Sequence, residues 1–222
     1  MARHPNGQND DVKPIVANGL VAYAWLMTLN DRSTTRALLE TRRSGRPREM
    51  IAPGPSEAEL EQILTIATRT PDHGKLFPWR FVIVGSEQRA ALADLLARAL
   101  PEADPAAGPA HFQKAVEFAH QAPCLVVLVA APVADHKIPL WEQQLSVGAA
   151  GMNLLIAAHA FGYVGGWITG WATYSERVRA AFCGPGERIA GFMFLGSPGA
   201  ELQERPRAPL ATVVRQWIPP AT

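Results

Sequence analysis

The stretch IPLWEQQLSVGAAGMNLLIAAHAF, residues 138–161, decides the architecture of this 222-residue chain. From Leu145 to Ala158 it leaves almost no polar face, and Gly162 follows it in the position of a helix C-cap. A helix that is apolar all round must be buried on every side. The sequence therefore predicts that residues 138–161 form a helix at the centre of the core or at a subunit interface.

Shorter predicted elements surround this helix. The clearest is marked by Ser56 and Glu59, which form a capping box at the start of a helix. Pro71 should end that helix near Thr70, because a residue before proline disfavours helical geometry. We predict further helices over residues 35–43, 86–100, 111–121 and 175–182, and strands over residues 80–84, 123–131, 165–169 and 189–195. Helices and strands interleave without a regular alternation, which predicts an α+β fold with a mixed central sheet flanked by helices rather than a doubly wound nucleotide-binding fold.

The composition fits one globular domain. Hydrophobic residues make up 48% and charged residues 18% of the sequence, so we expect a packed core over residues 31–222. Residues 1–30 are expected to be a flexible N-terminal extension, with Met27 as an alternative start of the chain. The most apolar stretch there, residues 15–29, is shorter than the roughly 20 residues that a membrane-spanning helix needs. No cleavage site for a signal peptide follows it.

Charge and missing motifs exclude several classes of protein. Lys and Arg number 21 against 20 Asp and Glu, and this near-neutral balance argues against a nucleic-acid partner. Cys124 and Cys183 form no CxxC pair, which excludes a zinc ribbon or redox dithiol and fits a reducing cytoplasmic location. The sequence has no GxGxxG, GxxxxGK[ST], HExxH or GxSxG motif. A bound nucleotide would therefore have to be held by scattered side chains.

Polar and aromatic residues gather at four places. Thr41–Ser44 offers two guanidiniums and a hydroxyl to a phosphate, or is simply a solvated helix end. The loop Arg69–Trp79 is dense in donors and stiffened by prolines, which favours a binding loop. The segment Asp135–Gln144 is better explained by the start of the long helix than by acid–base chemistry. In Gly165–Trp171 small residues would let the backbone approach a flat ligand on which Trp167 stacks, and a strand edge with two buried indoles is an equal alternative.

The C-terminal tail adds one more candidate. It is rich in proline and arginine from Glu201 onward. Prolines beside an arginine hold it extended, so Arg205–Arg207 has the form of a phosphate anchor. A solvated tail is the alternative for this segment taken alone.

Taken together and in this order, these clusters resemble the nitroreductase family, and most closely its compact YdjA-like branch. The Arg-Arg-Ser motif of the family is similar to Arg42–Ser44, and the Pro-Asp-His and Pro-Trp pairs of the branch match Pro71–His73 and Pro78–Trp79. The branch pattern His-Lys-x-Pro-x-Trp-Glu-Gln is present as His136–Gln143. A glycine-rich stretch after the long helix is similar to Gly165–Gly170.

The resemblance implies an α+β homodimer that holds FMN at the subunit interface and uses NADH or NADPH as hydride donor. It places the nicotinamide loosely near residues 157–162 and requires no metal. The flavin contacts that it implies are Arg42, Arg43 and Ser44 at the phosphate and ribityl chain, Arg207 at the phosphate, Arg69 and His73 reaching across from the other subunit, and Trp167, Ile168 and Thr169 along the ring.

The activity implied by the resemblance is a ping-pong reduction of a nitroaromatic, a quinone or a similar small molecule. The flavin would carry the chemistry, so no protein residue is expected to be catalytic. Three alternatives stay open: a flavin store or sensor without turnover, a reductase of the same fold for another acceptor, and a protein whose apolar helix only mediates assembly. No nucleic-acid or membrane partner is expected.

Overall fold

The structure is a computed structural model that describes residues 15–17, 20–22 and 28–220. Most of the extension predicted for residues 1–30 lies outside the described residues. Within it, strands β1 (Ile15–Ala17) and β2 (Leu20–Ala22) pair antiparallel.

The main body follows from residue 28. Its strands are β3 (Met50–Ile51), β4 (Trp79–Val84), β5 (Cys124–Ala130), β6 (Val164–Ile168) and β7 (Arg188–Pro198). Its helices are α1 (Thr35–Thr41), α2 (Glu57–Ala67), α3 (Arg89–Ala103), α4 (Pro109–His120), α5 (Leu140–Ala160), α6 (Trp171–Tyr174), α7 (Glu176–Phe182) and α8 (Leu210–Val213). The predicted helices and strands are confirmed, with small differences at their ends.

The five strands β3 to β7 form one sheet around β7. Strand β5 pairs with β7 and β4 pairs with β5, while β6 pairs with Phe192–Gly196 of β7. Strand β3 pairs with the last two residues of β7. Each of these pairings is antiparallel. The predicted α+β class is thereby confirmed, and the central sheet, which was predicted to be mixed, is antiparallel in every described pairing.

Helices cover both faces of the sheet. Successive side chains of a strand point to opposite faces, and every residue of β5 is buried. Leu125, Val127 and Val129 join a core with apolar residues of α3 and α4. Val126 and Leu128 join a second core with α2 and α5. The apolar run predicted as a strand buried on both faces is confirmed.

Helix α5 is buried over only part of its length, and the subunit interface stays a prediction. Its C-terminal half is core, where Leu154, Ala158 and His159 have no exposed surface. Its N-terminal half leaves Trp141 66% and Leu145 53% exposed. Large apolar side chains exposed together are typical of an interaction surface.

The largest differences from the predicted helix ends are in α2 and α3. Helix α2 ends at Ala67 rather than near Thr70, and its capping box is formed as predicted. Helix α3 begins after a 3₁₀ turn, Ser86–Gln88, and runs past Pro101 to Ala103. The proline is tolerated in this last turn because the N–H of Asp104 still closes on the carbonyl of Leu100 at 2.8 Å.

Arg89 joins β4 to α4 from inside the fold. Its side chain is buried and donates to the carbonyls of Val84 at 3.2 Å, Ala119 at 2.8 Å and Gln121 at 3.2 Å. Burial lowers the pKa of this guanidinium. We expect Arg89→Met to lower the free energy of unfolding by about 3 kcal/mol, because three carbonyls lose their donor.

Urea denaturation measures this difference. Arg98→Met is the matched control, since Arg98 lies exposed on the same helix and should change stability by less than about 0.5 kcal/mol. Equal losses in the two variants would contradict the role given to Arg89.

Candidate functional site

The loop after α1 is fixed on two sides. Asn30 exchanges two hydrogen bonds with the backbone of Arg43, accepting from its N–H at 2.7 Å and donating to its carbonyl at 3.0 Å. On the other side, the N–H of Gly45 donates to the carbonyl of Gly165 in β6 at 3.2 Å. The segment Arg42–Gly45 is therefore held rigidly between the start of the domain and the sheet.

The C-terminal tail meets this loop, as the sequence predicted for Arg207. The Arg43 Nε donates to the carbonyl of Gln203 at 2.7 Å, and the Arg207 Nη2 lies 3.4 Å from the carbonyl of Arg42. The Arg42 Nη2 donates to the Ser44 hydroxyl at 3.3 Å. The structure thus brings together Arg42, Arg43, Ser44 and Arg207.

This cluster has more positive charge than it can neutralise. Burial and the nearby charges of Arg207, Arg43 and Arg205 lower the pKa of Arg42, and Glu204 alone acts in the opposite direction. The Glu204 carboxylate is already engaged with Arg207 at 2.8 Å. Such a group of arginines is suited to an anion.

One donor of the cluster lacks an acceptor. The Arg42 Nε is buried and has no hydrogen-bond partner among the described residues. A buried donor left unpaired costs free energy, so native proteins rarely keep one without a purpose. A phosphate oxygen at this point would supply the missing acceptor.

The predicted residues Arg69 and His73 lie in a second region, the loop between α2 and β4, which is hydrogen-bonded to α5. Asn153 donates to the carbonyl of Arg69 at 2.9 Å, and the His73 Nδ1 lies 2.7 Å from the Glu142 carboxylate. Within the described part of the chain, no hydrogen bond or ion pair joins Arg69 or His73 to the arginine cluster. One copy of the chain therefore does not bring the two regions into contact, and their convergence across two copies stays a prediction.

The loop that carries His73 has an unusual backbone. Gly74, Lys75 and Phe77 have φ values of 82°, 56° and 49°. The left-handed region is costly for residues other than glycine, and such residues cluster at ligand sites. The N–H of Phe77 donates to the Asp72 carboxylate at 2.8 Å, which fixes the turn. The loop is therefore preorganised, as its prolines predicted.

The indole of Trp167 is partly buried and packs against the core that α2 and α5 share with the sheet, so it fits the core alternative only in part. The ring Nε1 donates to the carbonyl of Ala190 at 3.0 Å. A Cβ added to Gly151 or Gly191 would lie 2.6 Å or 2.0 Å from the same indole, so both positions require glycine. These contacts hold the indole beside α5, and part of its surface stays exposed.

Ile168 and Thr169 face a different space. They line a cavity of about 720 Å³ between α3, α4 and α6, to which Trp171 and Phe192 also contribute. Because strand residues alternate between faces, Ile168 points away from Trp167. Trp167, Ile168 and Thr169, which were predicted to lie along the flavin ring, follow one another in the backbone, but their side chains do not all lie on the same face of the sheet.

The segment before α5 is structural. The Gln143 side chain accepts from the N–H of Val133 at 2.8 Å and donates to the carbonyl of Ile138 at 3.1 Å. The His136 Nδ1 accepts from the N–H of Ile138 at 3.1 Å. These bonds build the start of the helix, as the sequence indicated.

Residues 157–162, where the resemblance placed the nicotinamide, are mostly interior. Ala157, Ala158 and His159 are buried, and Gly162 lines a cleft of about 510 Å³.

Two residues that line this cleft were not predicted from the sequence: Asn30, which had been assigned to the extension, and His159. A single asparagine or histidine forms no sequence motif, so the sequence does not show that Asn30 bonds Arg43, 13 residues away, or that His159 bonds Gly165, 6 residues away.

In the parts of the chain that the structure describes, no three His, Cys, Asp or Glu side chains come together as a metal would require. None of the described helices is both long enough and apolar enough to cross a bilayer.

The fold and these residues define an α+β protein with a rigid loop and a cluster of arginines that suits an anion. Residues 39–197 match the model of the Nitroreductase family. A Haemophilus influenzae protein named as an NAD(P)H nitroreductase is 38% identical over 170 residues, covering 76% of this chain and 90% of its own length. The Escherichia coli K12 protein YdjA, named in the same way, is 35% identical over 162 residues, covering 72% and 86%. The chain belongs to the nitroreductase family.

Solved structures share the fold. A nitroreductase-like protein from Bacillus cereus superposes with a TM-score of 0.73 at 19% identity, covering 83% of this chain and 96% of that one. The FMN and NADPH-dependent nitroreductase NfnB from sphigopyxis sp. strain HMH superposes with a TM-score of 0.64 at 20% identity, covering 83% and 99%. At these identities the likeness concerns the fold alone.

Proposed function

We propose that this chain is an FMN-dependent oxidoreductase that passes a hydride from NADH or NADPH to a nitroaromatic, a quinone or a similar small molecule. The names of its relatives support a nicotinamide donor, and NfnB supports FMN as the cofactor. The observation that carries the proposal is the buried, unpaired Arg42 Nε inside a cluster of arginines.

The arginine cluster fits the phosphate of FMN. Arg42 and Arg207 offer guanidinium donors, and the Ser44 hydroxyl lies next to them. Arg43 contributes its charge while its Nε and Nη1 hold the carbonyls of Gln203 and Ser44. A phosphate dianion would neutralise these charges and accept from the orphaned Nε.

The rest of the flavin would follow β6 away from the phosphate. Backbone groups of Trp167–Thr169 would lie along the ring. The glycines at 165 and 166 serve the packing of the chain itself, because an added Cβ would meet Leu155 or the carbonyl of Gly45. Arg69 and His73 would reach the same flavin from the other subunit of a homodimer. The exposed apolar face of α5, with Trp141 and Leu145, would be covered in that dimer.

When bound, FMN supplies hydride acceptance and donation at N5. The residues of the chain position and shield it. The Arg69 guanidinium would favour negative charge on the reduced ring, and a His73 imidazole held by Glu142 would fix the geometry of the loop. Donor and acceptor would use one pocket in turn, which gives ping-pong kinetics. We also propose a cytoplasmic location, because Cys124 and Cys183 are both free thiols.

An anaerobic titration tests the proposal. We expect purified protein supplied with FMN to retain it, to lose its flavin colour on addition of NADH or NADPH, and to regain it with a nitroaromatic or a quinone. Bound flavin that neither nucleotide reduces would contradict the activity and favour a store or sensor. A protein that takes up no FMN would contradict the cofactor as well.

A further inference from the structure

His159 is a buried ionisable residue that the proposed chemistry does not use. It has no exposed surface near the end of α5, and its Nε2 accepts from the N–H of Gly165 at 3.2 Å. Burial and the nearby charge of Arg42 lower the pKa of His159 to about 4, so its ring is neutral near pH 7. Since Nε2 accepts, the proton lies on Nδ1, which has no partner among the described residues.

The hydrogen bond from Gly165 continues to the anion site. The carbonyl of Gly165 accepts from the N–H of Gly45 at 3.2 Å. His159, Gly165 and Gly45 therefore link α5, β6 and the Arg42–Gly45 loop in one series of hydrogen bonds. The Arg42–Gly45 loop packs closely against β6, because a Cβ added to the neighbouring Gly166 would lie 2.8 Å from the carbonyl oxygen of Gly45.

The series joins the two parts of the proposed flavin site. The segment Arg42–Ser44 immediately precedes Gly45, and Trp167 follows Gly165 by two residues in β6. A displacement of Gly165 would move the phosphate-binding loop relative to the strand that lies along the ring. Misplacing a binding group by a small distance is costly when the ligand must contact both parts.

We propose that His159 is a positioning residue that sets the Arg42–Ser44 loop against β6 and so determines the preference of the site for a phosphorylated flavin. The inference rests on the proposed function. An apolar side chain could fill the volume of the imidazole, but it would leave the N–H of Gly165 buried without an acceptor. The backbone would then relax at Gly165, and the loop that depends on its carbonyl would shift.

Titration of the apoprotein with FMN and with riboflavin separates this role from general stability. Riboflavin keeps the ribityl chain but lacks the phosphate, so its affinity should depend much less on the position of the arginines in the loop. We expect His159→Met to weaken FMN binding by about tenfold or more, with riboflavin binding changed by less than about twofold. His159→Gln should keep the native ratio of the two affinities, because its side-chain oxygen can accept from Gly165.

Two further variants complete the test. Leu154→Ala, in the same buried part of α5, should lower stability without changing the ratio of FMN to riboflavin affinity. His159→Asn has an amide too short to reach Gly165, and it repeats the test should His159→Met not fold. A native ratio in the Met or Asn variant, or equal loss of both ligands, would overturn the inference. A native protein that binds no FMN would instead refute the proposed function.

Discussion

Replacing Arg42 with alanine should raise the dissociation constant for FMN by about 100-fold. The Arg42 guanidinium is half-buried, bonds the Ser44 hydroxyl, and keeps a buried Nε free for an acceptor. Its removal deletes at least one charge-assisted hydrogen bond to the phosphate and part of the positive potential that attracts it. Fluorescence titration of the apoprotein with FMN measures the change.

Arg36→Ala is the matched control for this variant. Arg36 lies exposed on the preceding helix and pairs with Glu40 at 2.7 Å, so its loss should leave FMN affinity within about twofold of native. Arg43→Ala should also weaken FMN retention, because it removes a charge and frees the tail from the loop. An Arg42 or Arg43 variant that retains full flavin yet loses turnover would show that the phosphate lies elsewhere.

Acid should destabilise this protein through His159. Its pKa is about 4 in the folded chain against an ordinary value of 6.5, so the unfolded chain takes up a proton that the folded chain excludes. Stability is therefore complete above about pH 6.5 and falls as the pH is lowered toward 4, by roughly 3 kcal/mol in total. Urea unfolding measured at several pH values across this window follows the loss.

His159→Gln isolates the contribution of the imidazole. Carboxylates with a lowered pKa, such as Glu59 beside Ser56, are present in both proteins and contribute equally to the pH dependence. The difference in unfolding free energy between the native protein and the variant should therefore shrink as the pH falls. A difference that stays constant from pH 7 to 4 would mean that His159 has the same pKa in the folded and unfolded chain, so that burial does not exclude its proton.

Local signals in the sequence were sufficient to predict the helices and strands. The capping box of Ser56 and Glu59, the apolar run of β5 and the glycine after α5 each act over a few residues, so their outcomes could be predicted without tertiary contacts. The arginine cluster could be predicted for a different reason, since Arg42, Arg43 and Arg207 carry a family pattern. The strand order could not, because it depends on pairings between distant segments such as β6 and β7.

The positions of Trp167, His159 and Asn30 depend on long-range contacts that the sequence alone does not show. The sequence predicted Trp167 equally well as a stacking or a core residue, and the two glycines opposite its partly buried indole show that it packs against the core. His159 lies in an apolar stretch and carries no pattern of its own; its role depends on Gly165, which only the fold brings within 3.2 Å. Asn30 likewise gains its part in the site from two hydrogen bonds to Arg43.

The central claim is that Arg42 of one subunit and Arg69 of the other hold the same FMN. Dimers assembled from one Arg42→Ala chain and one Arg69→Ala chain test it directly, because sharing across subunits leaves one complete site and one doubly defective site. We predict one FMN per mixed dimer bound with native affinity, while each variant alone binds weakly. Two equally weakened sites in the mixed dimer would show that both arginines serve the flavin from a single chain and would contradict the account.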